Sequence, residues 1–309
     1  MVFLSSLGGE RLRSRFRLEL PLHMMLLPGV IIVFIYHYLP MGGIIMAFEN
    51  YVPTKGMFGS PWVGWDNFTY FFSLPDTHQV IRNTVVIAVL KIVFGLIVTI
   101  GMTLLLNEIS KVWFKRSVQT LVYIPHFLSW IILGGILIDM LSPSEGIVNK
   151  VITGLGFGEI FFLGDNGWFP FTLVVSDIWK EFGFSTIVYL AALTSINPAL
   201  YESAAIDGAS HWRRMLHITL PGMLPIIVLM VTLSLGSVLN AGFEQVYVLL
   251  SPQVYESGDI IDTMVYRMGL QQMQYSAATA IGLFKSITSF LLIGTSYWLA
   301  YRFANYRIF

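Results

Sequence analysis

Cysteine is absent from this 309-residue chain, so disulfides, thiolate nucleophiles and cysteine-ligated metals are all excluded. Charge is scarce too: Asp, Glu, Lys and Arg make up 12% of the residues, about half of the roughly 25% carried by ordinary soluble domains. The 18 basic and 18 acidic side chains cancel, which leaves no electrostatic footprint for a nucleic acid. No G-x-x-x-x-G-K-[ST] segment occurs, and no polar stretch is long enough to form a nucleotide-binding fold. Any energy source is therefore another polypeptide or an ion gradient. Metal-ligand spacing is missing as well, since His211 and His217 have no third ligand beside them.

What the chain has in quantity is apolar surface: 55% of residues are hydrophobic and the mean hydropathy is +0.71. Six stretches, about 24–48, 83–106, 117–141, 170–195, 221–241 and 280–303, reach the roughly 20 apolar residues a helix needs to cross a bilayer. The alternation of a membrane barrel strand is missing. The expected fold is an all-α polytopic membrane protein with six transmembrane helices.

Basic residues set its orientation. Arg11, Arg13, Arg15, Arg17, Lys111, Lys115, Arg116, Arg213, Arg214, Arg302 and Arg307 fall on one side, against Lys55, Arg82, Lys150 and Arg267 on the other. The positive-inside rule puts both termini in the cytoplasm. Residues 1–23 then form a basic cytoplasmic segment, 24–303 the transmembrane domain and 304–309 a cytoplasmic tail. The first apolar stretch outruns the core of a cleaved signal peptide and reads as an uncleaved anchor. The outer connections, about 49–82, 142–169 and 242–279, are rich in Gly, Pro, Trp and Tyr. Such segments either cap the bundle at the interface or dock a partner from outside.

The connection 196–220 does not read as a plain loop. Asn197 and Pro198 are suited to start a short helix, Gly208 to end it, and Ser210 to cap a second run expected to stop ahead of Pro221. Ser203, Ala204, Ala205 and Ala209 are small enough to let another backbone approach closely. Two readings stay open on physics alone: an elbow entering a cleft on another protein, or an amphipathic piece resting on the inner leaflet.

The spacing of Glu202-Ser203-Ala204, Gly208, and Ile218-x-Leu220-Pro221, with Asp207 and Ala209 around the glycine, resembles the EAA loop of binding-protein-dependent ABC importer permeases. Ser203 stands where the family usually has Ala. Trp62-Val63-Gly64 with Asn67-Phe68, and Ile261-Asp262-Thr263-Met264-Val265-Tyr266-Arg267, resemble the MalF-like carbohydrate-uptake branch and its LplB-type polysaccharide and oligosaccharide permeases. The resemblance implies a type I importer permease fold in the bacterial cytoplasmic membrane. It also implies a second permease, two cytoplasmic ATPase subunits that carry ATP and Mg, and an external sugar-binding protein. This chain would then bind no cofactor and have no ATPase site of its own. Glu202 would face the ATPase, Ala204 and Gly208 would give close approach and bend, and Ile218, Leu220 and Pro221 would anchor the elbow to the fifth span.

Charges within spans need a partner or a water-filled cavity. Asp177, Lys180 and Glu181 share one helical face, read either as a self-neutralised cluster or as the wall of a translocation cavity. By resemblance, Trp179, Lys180, Glu181 and Phe184 match one group of sugar-holding positions, and Asn240, Glu244 and Gln245 a second. Lys180 and Glu181 replace uncharged family residues, so the cargo need not be maltose-like and an acidic saccharide is open. Lys285 is expected to snorkel to the nearest interface. The competing function is an ion-coupled secondary sugar carrier, which leaves the Glu202–Pro221 segment without a role. An intramembrane enzyme is a third reading, but His126 and Asp139 lie too far apart along one expected helix to form its catalytic set.

Overall fold

A computed structural model describes residues 6–236 and 238–304, with side chains described for 19–236, 238–298 and 301–302. The side chains of Arg11, Arg13, Arg15 and Arg17 and the tail residue Arg307 lie outside these ranges. Among the described residues the regular structure is helical, joined by turns and loops, with a lone antiparallel bridge between Glu49 and Trp62.

α1 (Ser6–Val33) runs on through a π turn, Phe34–Tyr38, and a 3-10 stretch, Leu39–Phe48. Short α2 (Asp66–Ser73) leads into α3 (Thr77–Glu108), followed by α4 (Val112–Tyr123), α5 (Trp130–Leu141) and α6 (Ile147–Gly154). α7 (Phe169–Thr194) reaches α8 (Pro198–Ile206), then α9 (His211–Arg214) and α10 (Leu220–Gly236). α11 (Phe243–Leu249), α12 (Tyr255–Gly258) and α13 (Ile261–Tyr266) precede α14 (Tyr275–Ala304).

Four continuous helical stretches are long and apolar enough to cross a bilayer: Glu19–Phe48, Thr77–Glu108, His211–Gly236 and Tyr275–Trp298. Two bent pairs raise the count to six, α4 with α5 at 102° and α7 with α8 at 70°. The stretch 117–141, expected as one straight span, is therefore two helices. Pro125 sits in a 3-10 turn, Ile124–Phe127, where its missing N–H costs nothing. Ser129 Oγ then caps α5 by accepting from the Ile132 N–H at 3.4 Å. The second pair is a span and its elbow, since α7 alone has 26 residues, about 39 Å of helix at 1.5 Å per residue.

A second correction concerns the run expected to stop ahead of Pro221. α9 continues into α10 without a break through a π turn, Met215–Thr219, in which the Leu220 N–H bonds the Met215 carbonyl. Proline clashes with the carbonyl four residues back, and a π turn just before it relieves the clash. The same device precedes Pro40, where the Leu39 N–H bonds the Phe34 carbonyl. The helix that leaves the elbow is thus the helix that enters the membrane.

The hydrophobic core lies at one end of the bundle. It gathers Val80 and Ile87 of α3, Leu133 of α5, Phe169 and Leu173 of α7, Ile260, Ile261 and Met264, and Ala277 and Ile281 of α14. These come from the first turns of α3, α7 and α14, at the end bearing the long aromatic connections. That end is outer by the charge distribution. Asn83 ties it together, donating to the Glu256 carbonyl at 3.0 Å and the Asp259 carbonyl at 3.3 Å.

Candidate functional site

The inner end carries the elbow. Asn197 Oδ1 accepts from the Ala199 N–H at 3.0 Å, and Pro198 occupies the first turn of α8, where no intrahelical donor is needed. At the far end Gly208 takes φ +72°. Its N–H bonds the Ala205 carbonyl at 3.1 Å while the Ala209 N–H bonds the Ala204 carbonyl at 2.9 Å. This pair of bonds is the Schellman ending, which satisfies the last carbonyls of a helix through one left-handed residue. Ser210 Oγ caps α9 from the Arg213 N–H at 3.4 Å. A helix shorter than about 12–15 residues is marginal in water. These local caps define both ends of nine-residue α8 and satisfy its terminal backbone groups.

Two contacts fasten the elbow to the bundle. Tyr201 OH and Thr219 Oγ1 are 3.0 Å apart, joining α8 to the π turn that enters α10. His211 Nε2 donates to Glu108 at the inner end of α3. Outward-facing groups remain: Glu202, Ser203, Asp207 and Gly208 are exposed, Ala204, Ala209, Ile218 and Leu220 are half-buried, and Pro221 is exposed at the start of α10. Leu200, Ile206 and Trp212 expose 51%, 87% and 71% of their surface. That much uncovered apolar area beside a carboxylate suits a protein groove better than water.

Deeper in the bundle, α3, α7 and α10 enclose a cavity of about 250 Å³ bordered by Lys91, Asp177, Glu181, Tyr189, Ser234 and Asn240. Lys91 Nζ lies 3.1 Å from Asp177 Oδ1 and donates to the Ala241 carbonyl at 2.7 Å. It also bonds Gln245 Oε1, whose amide nitrogen donates to the Leu173 carbonyl and Ser176 Oγ, each at 2.8 Å. The charges of α7 therefore do not neutralise one another as a set. Asp177 is paired across to α3, while Lys180 bonds Glu181 Oε1 at 3.0 Å and the His126 carbonyl at 2.9 Å. Lys180 is 7% exposed and sits 5.6 Å from the Trp130 ring centroid, turned away from the cavity.

Of the positions matched by resemblance, Glu181 and Asn240 border the cavity. Gln245 is fully buried and holds Lys91 in place, whereas Trp179, Phe184 and Glu244 are exposed on other faces. His126 was singled out only as half of an absent catalytic set. It donates from Nδ1 to Glu181 Oε2 at 2.8 Å and stacks on Phe184 with centroids 4.0 Å apart. Its place after Pro125, at the break between α4 and α5, is the signal that could have marked it. Lys285 does not snorkel: it donates to Asn240 Oδ1 at 2.8 Å and pairs with Asp262 Oδ1 at 2.5 Å.

Gly242 locks the loop between α10 and α11. It has φ +92°, and a Cβ there would meet Lys91 Nζ at 2.9 Å and Gln245 Oε1 at 3.6 Å. Gly242→Ala is expected to destabilise the chain by about 1–3 kcal/mol, the cost of a left-handed non-glycine residue. Thermal unfolding in detergent would show a lowered midpoint, and an unchanged midpoint would show that the loop relaxes freely.

Comparison with known proteins fits this architecture. Residues 78–305 match the family described as "Binding-protein-dependent transport system inner membrane component". Protein LplB of Bacillus subtilis (strain 168) is 42% identical over 93% of this chain and 91% of its own length. The polygalacturonan/rhamnogalacturonan transport system permease protein YteP of the same strain is 41% identical over 93% of this chain and 90% of its own. The crystal structure of a bacterial ABC transporter involved in the import of the acidic polysaccharide alginate contains a chain that superposes with a TM-score of 0.88 at 38% identity, covering 95% of this chain and 99% of that one. A second structure shows the bacterial alginate ABC transporter with an alginate pentasaccharide-bound periplasmic protein, again with a TM-score of 0.88 at 38% identity, covering 96% of this chain and 100% of that one. An apolar helical bundle, a capped inner elbow and a charged internal cavity thus occur in a chain that belongs to the family of inner membrane components of binding-protein-dependent transport systems.

Proposed function

We propose that this chain is one of two permease subunits of an ATP-binding-cassette importer in the bacterial cytoplasmic membrane, and that its cargo is an acidic oligosaccharide or polysaccharide fragment. The observation that carries the reading is the elbow and its connections. α8 turns directly into α7 at one end and, through α9 and the π turn, into α10 at the other. α7 and α10 both wall the cavity. A push on α8 from an ATPase closing around nucleotide therefore displaces two walls of the cavity together. ATP and Mg belong to the two ATPase subunits, and the chain itself transports without hydrolysing.

The cavity of about 250 Å³ falls short of the roughly 300–1,000 Å³ of a small-molecule site. A second permease would complete the passage. The outer connections, with exposed Phe58, Trp62 and Trp65, would receive a sugar-binding protein. The cargo class rests on the relatives named for polygalacturonan/rhamnogalacturonan and alginate transport. Nothing supports the ion-coupled alternative.

The test is uptake and ATP hydrolysis by the complete importer in proteoliposomes, with binding protein loaded from galacturonate, alginate and maltose oligomer series. An acidic oligosaccharide should stimulate hydrolysis at least tenfold, with uptake unaffected by a protonophore. Stimulation by the maltose series alone would overturn the cargo class, and protonophore-sensitive uptake without ATP would overturn the importer.

A further inference from the structure

On the far side of Asn240 lies a second space. A cleft of about 700 Å³ is bordered by Phe243, Tyr266, Tyr275, Asn240, Asp262 and Ser286. A further space of about 550 Å³ along α14 shares Asn240, Asp262, Gly282 and Ser286 with it and adds Lys285. Aromatic rings form its rim: Phe243 lies 5.7 Å from Tyr266 and 5.5 Å from Tyr247, and Tyr247 donates to Tyr266 OH at 3.2 Å. Asp262 and Asn240 form its floor, and Lys285, which borders the adjoining space, bonds both of them from beneath.

A lysine–aspartate pair within a membrane bundle faces a partner or water, and it has both here only if the cleft is wet. Asp262 and Lys285 keep 19% and 17% of their side-chain surface open. Lys285 is ten residues into α14 from its outer end and Lys91 fourteen residues into α3. The two ammonium groups approach neighbouring residues of one segment from different helices. Between them runs the segment 240–245: Lys285 holds Asn240, and Lys91 holds Ala241 and Gln245.

We propose that this aromatic-rimmed cleft with its Asn240–Asp262–Lys285 floor is a second saccharide subsite, adjoining the Lys91–Asp177 cavity and sharing Asn240 with it. The rings of Phe243, Tyr266 and Tyr275 offer apolar faces to a sugar ring, Asp262 and Asn240 accept from hydroxyls, and Lys285 binds a uronate carboxylate by exchanging it for Asp262. Two subsites joined at Asn240 make the chain a reader of oligosaccharide length. This rests on the importer reading and names a further site within it.

Because the chain contains no cysteine, single cysteines introduced into it report each chamber without background when the partner subunits and binding protein are cysteine-free variants. Ser286→Cys probes the cleft and Ser185→Cys the inner cavity, each in the complete importer in proteoliposomes. Labelling uses a charged, membrane-impermeant thiosulfonate, with di-, tri- and tetrasaccharides of galacturonate, alginate and maltose presented on the binding protein. Both cysteines should label, a tri- or tetrasaccharide should slow labelling at position 286 at least tenfold, and a disaccharide should protect one chamber only. Adding Tyr266→Ala should abolish protection at 286 while sparing it at 185. Protection at 185 with no labelling at 286 means the cleft is filled by lipid or by another helix, which overturns the subsite but leaves the importer standing. Labelling at 286 that no saccharide slows overturns the subsite as well. Loss of saccharide protection at both positions, together with unstimulated hydrolysis, overturns the cargo reading and the subsite with it.

Discussion

A chain carrying Glu202→Lys should insert into the membrane and fold normally, yet support no ATP-driven uptake. Glu202 is exposed on α8 and takes no part in the bonds that shape the elbow, which run through Asn197, Gly208, Ser210, Tyr201 and Thr219. Nothing in the fold is lost with it. On the proposed reading it is the carboxylate offered to the ATPase, and truncating one partner of a buried, hydrogen-bonded charge pair costs about 2–5 kcal/mol. Replacing it by a cation adds repulsion. Two measurements separate the effects: co-purification with the ATPase, expected to fall by about 30-fold or more, and thermal stability of the permease alone, expected to stay unchanged. Glu202→Gln, neutral and isosteric, should fall between. Wild-type uptake by the lysine variant would show that α8 serves no ATPase.

Lys91→Met should be the most destabilising single change in the cavity wall. It removes the cation from Asp177 and leaves Gln245 Oε1 and the Ala241 carbonyl without their donor, all in the middle of the bundle. Breaking a buried pair from one side costs about 3–5 kcal/mol because the surviving charge is stranded. Uptake should be lost, and the unfolding midpoint in detergent should fall by several degrees. Adding Asp177→Leu removes the stranded carboxylate and should restore most of the stability without restoring uptake. A double variant no more stable than Lys91→Met would show that the pair is not what holds α3 against α7.

The elbow was legible in the sequence because every force that shapes it acts over a few residues. Asn197 caps a neighbour two positions on, Gly208 closes bonds reaching back to Ala204 and Ala205, and Ser210 caps three residues ahead. The apolar runs marked the spans for the same reason. What composition hid was the bend after α4: Pro125 and Ser129 lie inside a mostly apolar stretch, and hydropathy averages over them. The continuity of α9 with α10 was missed because proline reads as a stop, whereas a π turn lets the helix through. The ion pairs were beyond reach altogether. Asp177, Lys180 and Glu181 share a face, but whether each finds its partner on its own helix or across the bundle depends on how α3, α4 and α7 pack. No local rule carries that information, so Lys91 to Asp177, His126 to Glu181 and Lys285 to Asp262 emerge only in three dimensions.

The one-sided placement of the core has a mechanical corollary. With the main cluster of packed apolar side chains centred on the outer turns of α3, α7 and α14, and only scattered groups such as Leu106, Tyr189 and Met223 buried toward the inner ends, the outer turns act as a hub. The inner lengths of the same helices can fan apart like the ribs of an umbrella, giving up local contacts such as Gly183 against Val122 and Gly222 against Ile196 while the hub stays closed. Opening toward the cytoplasm then breaks less of the protein's own interior than prising apart the hub would, which leaves more of the work of an ATPase for moving cargo.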